Sequence, residues 1–213
     1  MKTIPPWSTL LIIFSFFLLP LVLAWFVYTG AIEIDPESTR NYGILVKPAI
    51  PVSWTGLTLE NSTGNQDGNE EGNSVAAALD GHWVILYPIQ PPCENDCISH
   101  VTSLRQVRRA SGRKRDRVRI ALVTQGWMSE ETLANLTAVY PQFKLISDPD
   151  GYLNKVLASA DDAAGNHGDR TTYLIDPRGN LMMLYSTESG PIKLSKDLKL
   201  ILTWSKQTNQ TNQ

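Results

Sequence analysis

The sequence of 213 residues has only two cysteines, no large excess of charge of one sign and no internal repeat. So few cysteines exclude a small fold held together by several disulfides. The formal net charge of -2 lacks the basic excess that nucleic-acid binding needs, so we expect no nucleic-acid partner. The 14 glycines follow no fixed period, which excludes a collagen-like chain. With 42% apolar and 19% charged residues, the composition is that of a globular protein.

The N-terminal region contains no charged residue between Lys2 and Glu33. Residues 7–29 have the apolar character and the length, about 20 residues, that a membrane-crossing helix needs. The positive charge precedes this stretch and acidic residues follow it, so we expect residues 1–6 in the cytoplasm and the remainder outside. A signal peptide cleaved after Ala24 is the alternative. The apolar run continues past that position, which favours an uncleaved anchor.

The rest of the chain divides by composition. Residues 30–53 contain prolines and predict an extended juxtamembrane segment, and the polar residues 207–213 predict a disordered tail. The folded domain is predicted at 54–206, with a possible first strand at 54–59. Inside it, the Gly/Asn-rich stretch 61–73 predicts a flexible loop.

Strand and helix signals alternate through the predicted domain. Apolar runs predict strands at 83–87, 117–124 and 143–146, and a hairpin at 171–175 and 181–185. Helical patterns lie at 98–110, 129–140, 152–159 and 194–206, and Ser129 is a suitable N-terminal cap. This order predicts an α/β fold with a mixed sheet flanked by helices.

Cys93 and Cys97 follow a buried strand at the start of a predicted helix. Sites of α/β proteins lie at such strand ends, and a helix N-terminus stabilises thiolate over thiol. Residues four apart share a helix face, so one soft metal ion can bridge two thiolates. Two thiolates plus an imidazole suit copper, as Cu(I) or Cu(II). The same spacing can close a disulfide, so both chemistries stay open.

The predicted anchor, the run WVILYP before the cysteines and the hairpin YLIDPRGNLMMLYS at 173–186 resemble the Sco/SenC copper chaperones. The resemblance covers about 54–205 and implies a membrane-anchored protein with a thioredoxin-like fold. In that family, two cysteines and a distant histidine bind copper. The histidine lies in a loop before the YLID strand. By this resemblance Cys93, Cys97 and His167 are the metal ligands.

His100 is a rival third ligand, because it lies three residues after Cys97 on about the same helix face. A site that included it would extend along two helical turns. We therefore expect His100 to support the site or to be exposed rather than to bind the metal.

The resemblance implies a function in respiratory oxidase assembly, with copper delivered to a copper-site subunit. The location it implies is the bacterial inner membrane, with the C-terminal domain in the periplasm. One alternative is a thiol–disulfide reductase in which Cys93, expected to be the more exposed cysteine, attacks and Cys97 resolves. Another is an assembly scaffold whose disulfide is inert.

A basic run at 105–119 holds eight arginines and lysines opposed only by Asp116. Part of it is the end of the cysteine helix, where cations are favourable. A solvated helix end is the simplest interpretation. The more specific one is a surface that docks an acidic partner or lipid head groups.

Overall fold

The computed structural model describes residues 6–29, 41–60, 74–126, 128–166, 171–186 and 190–205. They belong to two units, Met1–Arg40 and Asn41–Gln213. The second unit therefore begins inside the segment 30–53 that the prolines predict to be juxtamembrane. Its first strand starts at Ile44, ahead of the predicted domain boundary at residue 54.

The first unit contains helix α1, Pro6–Tyr28, with Pro20 inside it. Every side chain that the structure describes in this helix is exposed. Among the described residues, no helix has the length and hydropathy expected of a membrane-crossing segment. The membrane span at 7–29 stays a prediction.

The second unit is built on one seven-stranded sheet. Its strands are β1 (Ile44–Pro51), β2 (Thr58–Leu59), β3 (Trp83–Ile89), β4 (Val118–Thr124), β5 (Lys144–Ser147), β6 (Thr172–Ile175) and β7 (Asn180–Tyr185). Their order in the sheet is β1-β7-β6-β3-β4-β5-β2. Strands β3, β4 and β5 are parallel, whereas β6, β7, β1 and β2 pair in antiparallel fashion with their neighbours. The predicted mixed sheet is confirmed.

Helices cover both faces of the sheet. They are α2 (Val75–Leu79), α3 (Asn95–Ala110), α4 (Glu130–Val139), α5 (Tyr152–Ala163) and α6 (Gly190–Trp204), with a 3-10 helix at Gly112–Arg117. Successive side chains of a strand point to opposite faces, so the central strands are apolar on both. On one face, Ile85 and Tyr87 share a core with α3, α4 and α6. On the other face, Val84 and Leu86 share a core with α2 and α5.

Several elements differ from the sequence-based expectation. Strand β1 lies where an extended segment was expected, and its two prolines are tolerated because β1 is an edge strand that pairs only with β7. The short helix α2 was not predicted, and α5 continues four residues beyond the predicted end at Ser159. Ser129 caps α4 as predicted, accepting a hydrogen bond from the Thr132 amide.

The start of the second unit is fastened to α6 by Asp197, which is buried. Its carboxylate accepts hydrogen bonds from the backbone amides of Tyr42 and Gly43, at 2.8 Å for the shortest contact of each. The hydroxyl of Tyr185, on β7, donates a third hydrogen bond at 3.0 Å. A buried carboxylate needs such partners, so these hydrogen bonds hold Tyr42 and Gly43 against α6 and β7.

Candidate functional site

Cys93 and Cys97 form a disulfide with a Cα–Cα distance of 5.2 Å. Strand β3 ends four residues before Cys93, and α3 begins at Asn95, so Cys97 lies in the first turn of the helix. The pair therefore occupies the carboxyl end of a central parallel strand, as predicted. Of the two chemistries left open by the spacing, the structure contains the disulfide.

The relative exposure of the two cysteines is the reverse of the expectation. Cys93 is buried, with 7% of its surface exposed, and it belongs to the core between the sheet and α3. Cys97 is partly exposed and lines an open cavity. Cys93 is buried because it packs in the same core cluster as Val101 and Leu104 of α3. Cys97, and not Cys93, is the sulfur that a partner can reach.

The cavity beside Cys97 has a volume of about 620 Å³. Among the described residues that line it, Glu94 and Asp96 carry carboxylates and none is basic. Neutral groups complete it, namely Tyr87, Pro88, Gln90, Pro91, Pro92 and Asn95. The described part of this lining is therefore acidic, and acidic groups in a concave surface attract cations.

His100 is positioned by contacts on two sides. Its Nε2 lies 2.8 Å from Oγ1 of Thr172, the first residue of β6. Its ring lies against the ring of Tyr87, with 4.4 Å between the centroids. Tyr87 also lines the cavity that Cys97 enters. These contacts connect α3 to β3 and β6 close to the disulfide. His100 was expected to support the site, and these contacts are of that kind.

His167, the ligand implied by the family resemblance, lies outside the described residues. The residues on either side of its segment are described and are linked. Asn166 donates hydrogen bonds from its amide to Asp161 (3.0 Å) and to the hydroxyl of Thr171 (2.9 Å). Thr171 directly precedes the partner of His100. The two described ends of the 167–170 segment therefore lie together at the end of the sheet that carries the disulfide.

Sequence reasoning missed the hydrogen-bonded group around Asp161. The Tyr173 hydroxyl donates a 2.6 Å hydrogen bond to this carboxylate, which also accepts the Asn166 amide. Burial, followed by the hydrogen bond and the charge of Asp161, raises the pKa of Tyr173 well above its ordinary value. The sequence does offer a signal, because Asp161 continues the buried face of α5 that contains Leu157.

No group of three or more histidine, cysteine, aspartate or glutamate side chains in the described part of the chain is arranged to hold a metal ion. The two sulfurs are therefore the only elements of the predicted copper site that the described residues bring together.

A model of the family described as transmembrane-like, thioredoxin-like, C-terminal domain matches residues 83–205, more than half of the chain. The chain belongs to this family. The match begins at β3 and ends after α6, and so it includes the disulfide and the hairpin. No curated protein is significantly similar in sequence to this thioredoxin-like chain.

Solved structures share the fold at low identity. The apo Sco1 protein of Thermus thermophilus is 18% identical, with a TM-score of 0.52, and the match covers 78% of this chain and 99% of that one. ScoI of Bradyrhizobium japonicum, whose structure has copper bound, is 19% identical, with a TM-score of 0.45 and coverage of 71% and 99%. A putative thioredoxin from Neisseria meningitidis is 18% identical, with a TM-score of 0.45 and coverage of 78% and 93%. The predicted thioredoxin-like fold is confirmed.

Proposed function

We propose that this protein binds copper through the reduced thiols of Cys93 and Cys97 and delivers it to a copper-site subunit of a respiratory oxidase. The observation that carries the proposal is the placement of the sulfur pair. Both sulfurs lie at the carboxyl end of β3, and Cys97 opens into a cavity whose described lining residues include Glu94 and Asp96. Copper is the cargo of this protein, and the residues fit it because thiolates are the ligands that Cu(I) prefers.

Copper binding and the disulfide exclude one another, because the metal needs both sulfurs as thiolates. Reduction of the disulfide takes up two electrons and two protons and yields two thiols. Binding of Cu(I) then releases thiol protons, and re-oxidation to the disulfide removes the ligands. The redox state of the pair would thus control loading and release.

His167 is the proposed third ligand. Its support is the family resemblance, together with the position of Asn166 and Thr171 at the disulfide end of the sheet. His100 is not proposed as a ligand, since its Nε2 lies beside Thr172 and its ring lies on Tyr87.

Thiol–disulfide exchange is the second candidate function, and the disulfide itself favours it. In the reduced protein, the thiolate of Cys97 would attack a partner disulfide and form a mixed disulfide, releasing one partner thiolate. Cys93 would then attack Cys97 and release the second partner thiolate. The partner gains two electrons and the chain returns to its disulfide. The first helical turn, in which Cys97 lies, favours the thiolate form of an attacking cysteine.

Copper binding is tested by competition for Cu(I) with a chromophoric chelator, using the reduced full-length chain in a nonionic detergent. We expect one copper ion per chain, with binding lost in both Cys93→Ser and Cys97→Ser and weakened in His167→Ala. The matched control is His82→Ala, because His82 lies at the opposite end of β3. Absence of binding by the reduced wild-type chain would refute the copper proposal and leave thiol exchange.

Attachment to the bacterial inner membrane, with the thioredoxin-like domain in the periplasm, is also part of the proposal. Helix α1 is apolar on all sides and exposes every described side chain, and a helix of this kind needs an apolar phase to cover it. We expect the chain to stay with the membrane fraction during alkaline carbonate washing, and the domain to be digested when protease is added to spheroplasts. Full release by carbonate, or protection of the domain, would contradict the proposal.

A further inference from the structure

A second concave surface lies at the other end of α3. It is an open cleft of about 320 Å³ whose lining includes Arg105, Arg108, Arg109, Arg115, Asp116 and Tyr140, and we call it the basic cleft. The two surfaces share no lining residue, and the nearest lining residues on α3, Cys97 and Arg105, lie about 12 Å apart along the helix at about 1.5 Å per residue. The basic cleft is therefore separate from the cavity beside the disulfide.

The positive charge of the basic cleft is poorly compensated. Its lining brings together four arginines and one carboxylate. Asp116 approaches Arg108 and Arg115 only at 3.8 Å and 3.9 Å, and 81% of its side chain is exposed. Ion pairs as open as these contribute little in water. The cleft therefore retains a net positive charge.

Some of the basic residues have a structural function that explains their presence. Arg117 donates hydrogen bonds to the carbonyl oxygens of Leu202 and Ser205 at the end of α6. Arg108 donates to the carbonyl of Val118 and lies over the ring of Tyr140. These arginines hold the end of α3, the 3-10 helix and α6 together.

Arg105 and Arg109 are different. Neither side chain makes a hydrogen bond or an ion pair with any residue that the structure describes. They lie one helical turn apart on α3 and both line the cleft. The charge of Arg105 also acts on Tyr140, another lining residue: burial raises the pKa of Tyr140, and the charges of Arg108, Arg119 and Arg105 oppose this rise. The cleft thus contains two guanidinium groups whose side chains have no partner among the described residues. An anionic ligand could bind to both of them.

We propose that the basic cleft binds an acidic segment of a partner protein, with carboxylates on Arg105, Arg109 and Arg115. Asp116 already places a carboxylate next to Arg108 and Arg115, which shows that this ligand chemistry fits the cleft. The planar guanidinium group matches a carboxylate with two parallel hydrogen bonds. The positive surface continues beyond the cleft onto the exposed side chains of Arg113 and Lys114 in the 3-10 helix. A peptide with several carboxylates can use this extended surface, whereas a single small anion cannot.

The test measures binding of a fluorescent hexaglutamate peptide to the full-length chain in nonionic detergent by fluorescence anisotropy. We expect binding that weakens as salt rises, because screening acts over about 8 Å at physiological ionic strength. In the double variant Arg105→Gln/Arg109→Gln, we expect binding to be at least about tenfold weaker, given the strength of hydrogen bonds to charged groups. The disulfide and copper binding should be unchanged, so failure of this proposal is distinguishable from failure of the proposed function.

The matched control is Lys155→Gln/Lys193→Gln, which removes the same charge from exposed positions on α5 and α6. It should bind the peptide within about twofold of wild type. Equal losses in the two double variants would show a nonspecific charge effect and would overturn the proposal. Failure of the peptide to bind would overturn it as well. The proposal would also be overturned if anionic lipid vesicles bound the wild-type chain but not the Arg105→Gln/Arg109→Gln variant, while the peptide bound neither.

Discussion

His100 on α3 and Thr172 on β6 contact each other across the edge of the candidate site, with 2.8 Å between Nε2 and Oγ1. The imidazole also lies on Tyr87 of β3. A side chain selected from the sequence as a possible ligand therefore connects the cysteine helix to two strands. Its contacts stabilise the position of α3, on which the exposure of Cys97 depends.

We expect His100→Ala to lower the free energy of unfolding by about 1–2 kcal/mol, through loss of a hydrogen bond and a ring contact. His100→Phe should recover part of this loss, because it keeps an aromatic ring against Tyr87. The control is Ser99→Ala, at the exposed neighbouring position of the same helix, which should change stability by less than about 0.5 kcal/mol. Urea denaturation of the oxidised chain measures all three. A loss of copper affinity in His100→Phe without a loss of stability would instead indicate a ligand.

Reduction of the disulfide should destabilise the second unit only moderately. The bond closes a short ring, with a sequence separation of 4, so chain-entropy arguments give roughly 2 kcal/mol. Urea denaturation with and without dithiothreitol measures this difference. The double variant Cys93→Ser/Cys97→Ser is the control and should not respond to the reductant. Complete unfolding of the wild-type chain on reduction would show a structural disulfide and would contradict a copper-binding reduced state.

The backbone at Gly43 lies close to the side chain of Tyr185. A Cβ at this position would lie 2.5 Å from Cε1 of the tyrosine ring, which is buried and bonded to Asp197. Because the ring cannot move freely, we expect Gly43→Ala to cost about 1–3 kcal/mol. The control is Gly126→Ala, where a Cβ would meet nothing within 4 Å. Thermal denaturation of the two variants checks the prediction, and equal melting temperatures would contradict it.

The buried phenol groups of Tyr173 and Tyr185 should make the domain less stable at high pH. Burial, and then the charge and hydrogen bond of Asp197, raises the pKa of Tyr185 well above its ordinary value. Burial and the contacts of Asp161 do the same for Tyr173. In the unfolded chain both phenols ionise at about pH 10. The folded state thus keeps protons that the unfolded state loses.

The contribution of these phenols is fully present below about pH 10 and decreases above it, by about 1.4 kcal/mol per pH unit for each one. Urea denaturation between pH 8 and pH 11 measures the slope. Tyr173→Phe and Tyr185→Phe should each reduce it, because each removes one of the two buried phenols. Slopes identical to wild type in both Phe variants would show that other groups control alkaline unfolding.

The local pattern of the sequence was sufficient for the central elements of the fold. The apolar run at 83–87, the Ser129 cap and the turn between β6 and β7 specify their structures through neighbouring residues alone, and the structure has all three. The placement of Cys93 and Cys97 between a strand and a helix followed from the same reasoning. The edge strand β1 did not, because prolines argue against a strand until its pairing with a single neighbour is known.

Only the tertiary structure decided which groups meet, because contacts between distant parts of the chain leave no local pattern. Asp197 and Gly43 are 154 residues apart, and His100 and Thr172 are 72 apart, yet each pair is in direct contact. Packing beneath α3 buries Cys93 and leaves Cys97 accessible, the reverse of what the order along the chain indicates. In the same way, folding provides hydrogen-bond partners for the side chains of Arg108 and Arg117 but none among the described residues for the side chains of Arg105 and Arg109. The basic run is visible in the sequence. Only the packing shows which of its arginines bind other parts of the domain and which are available to a ligand.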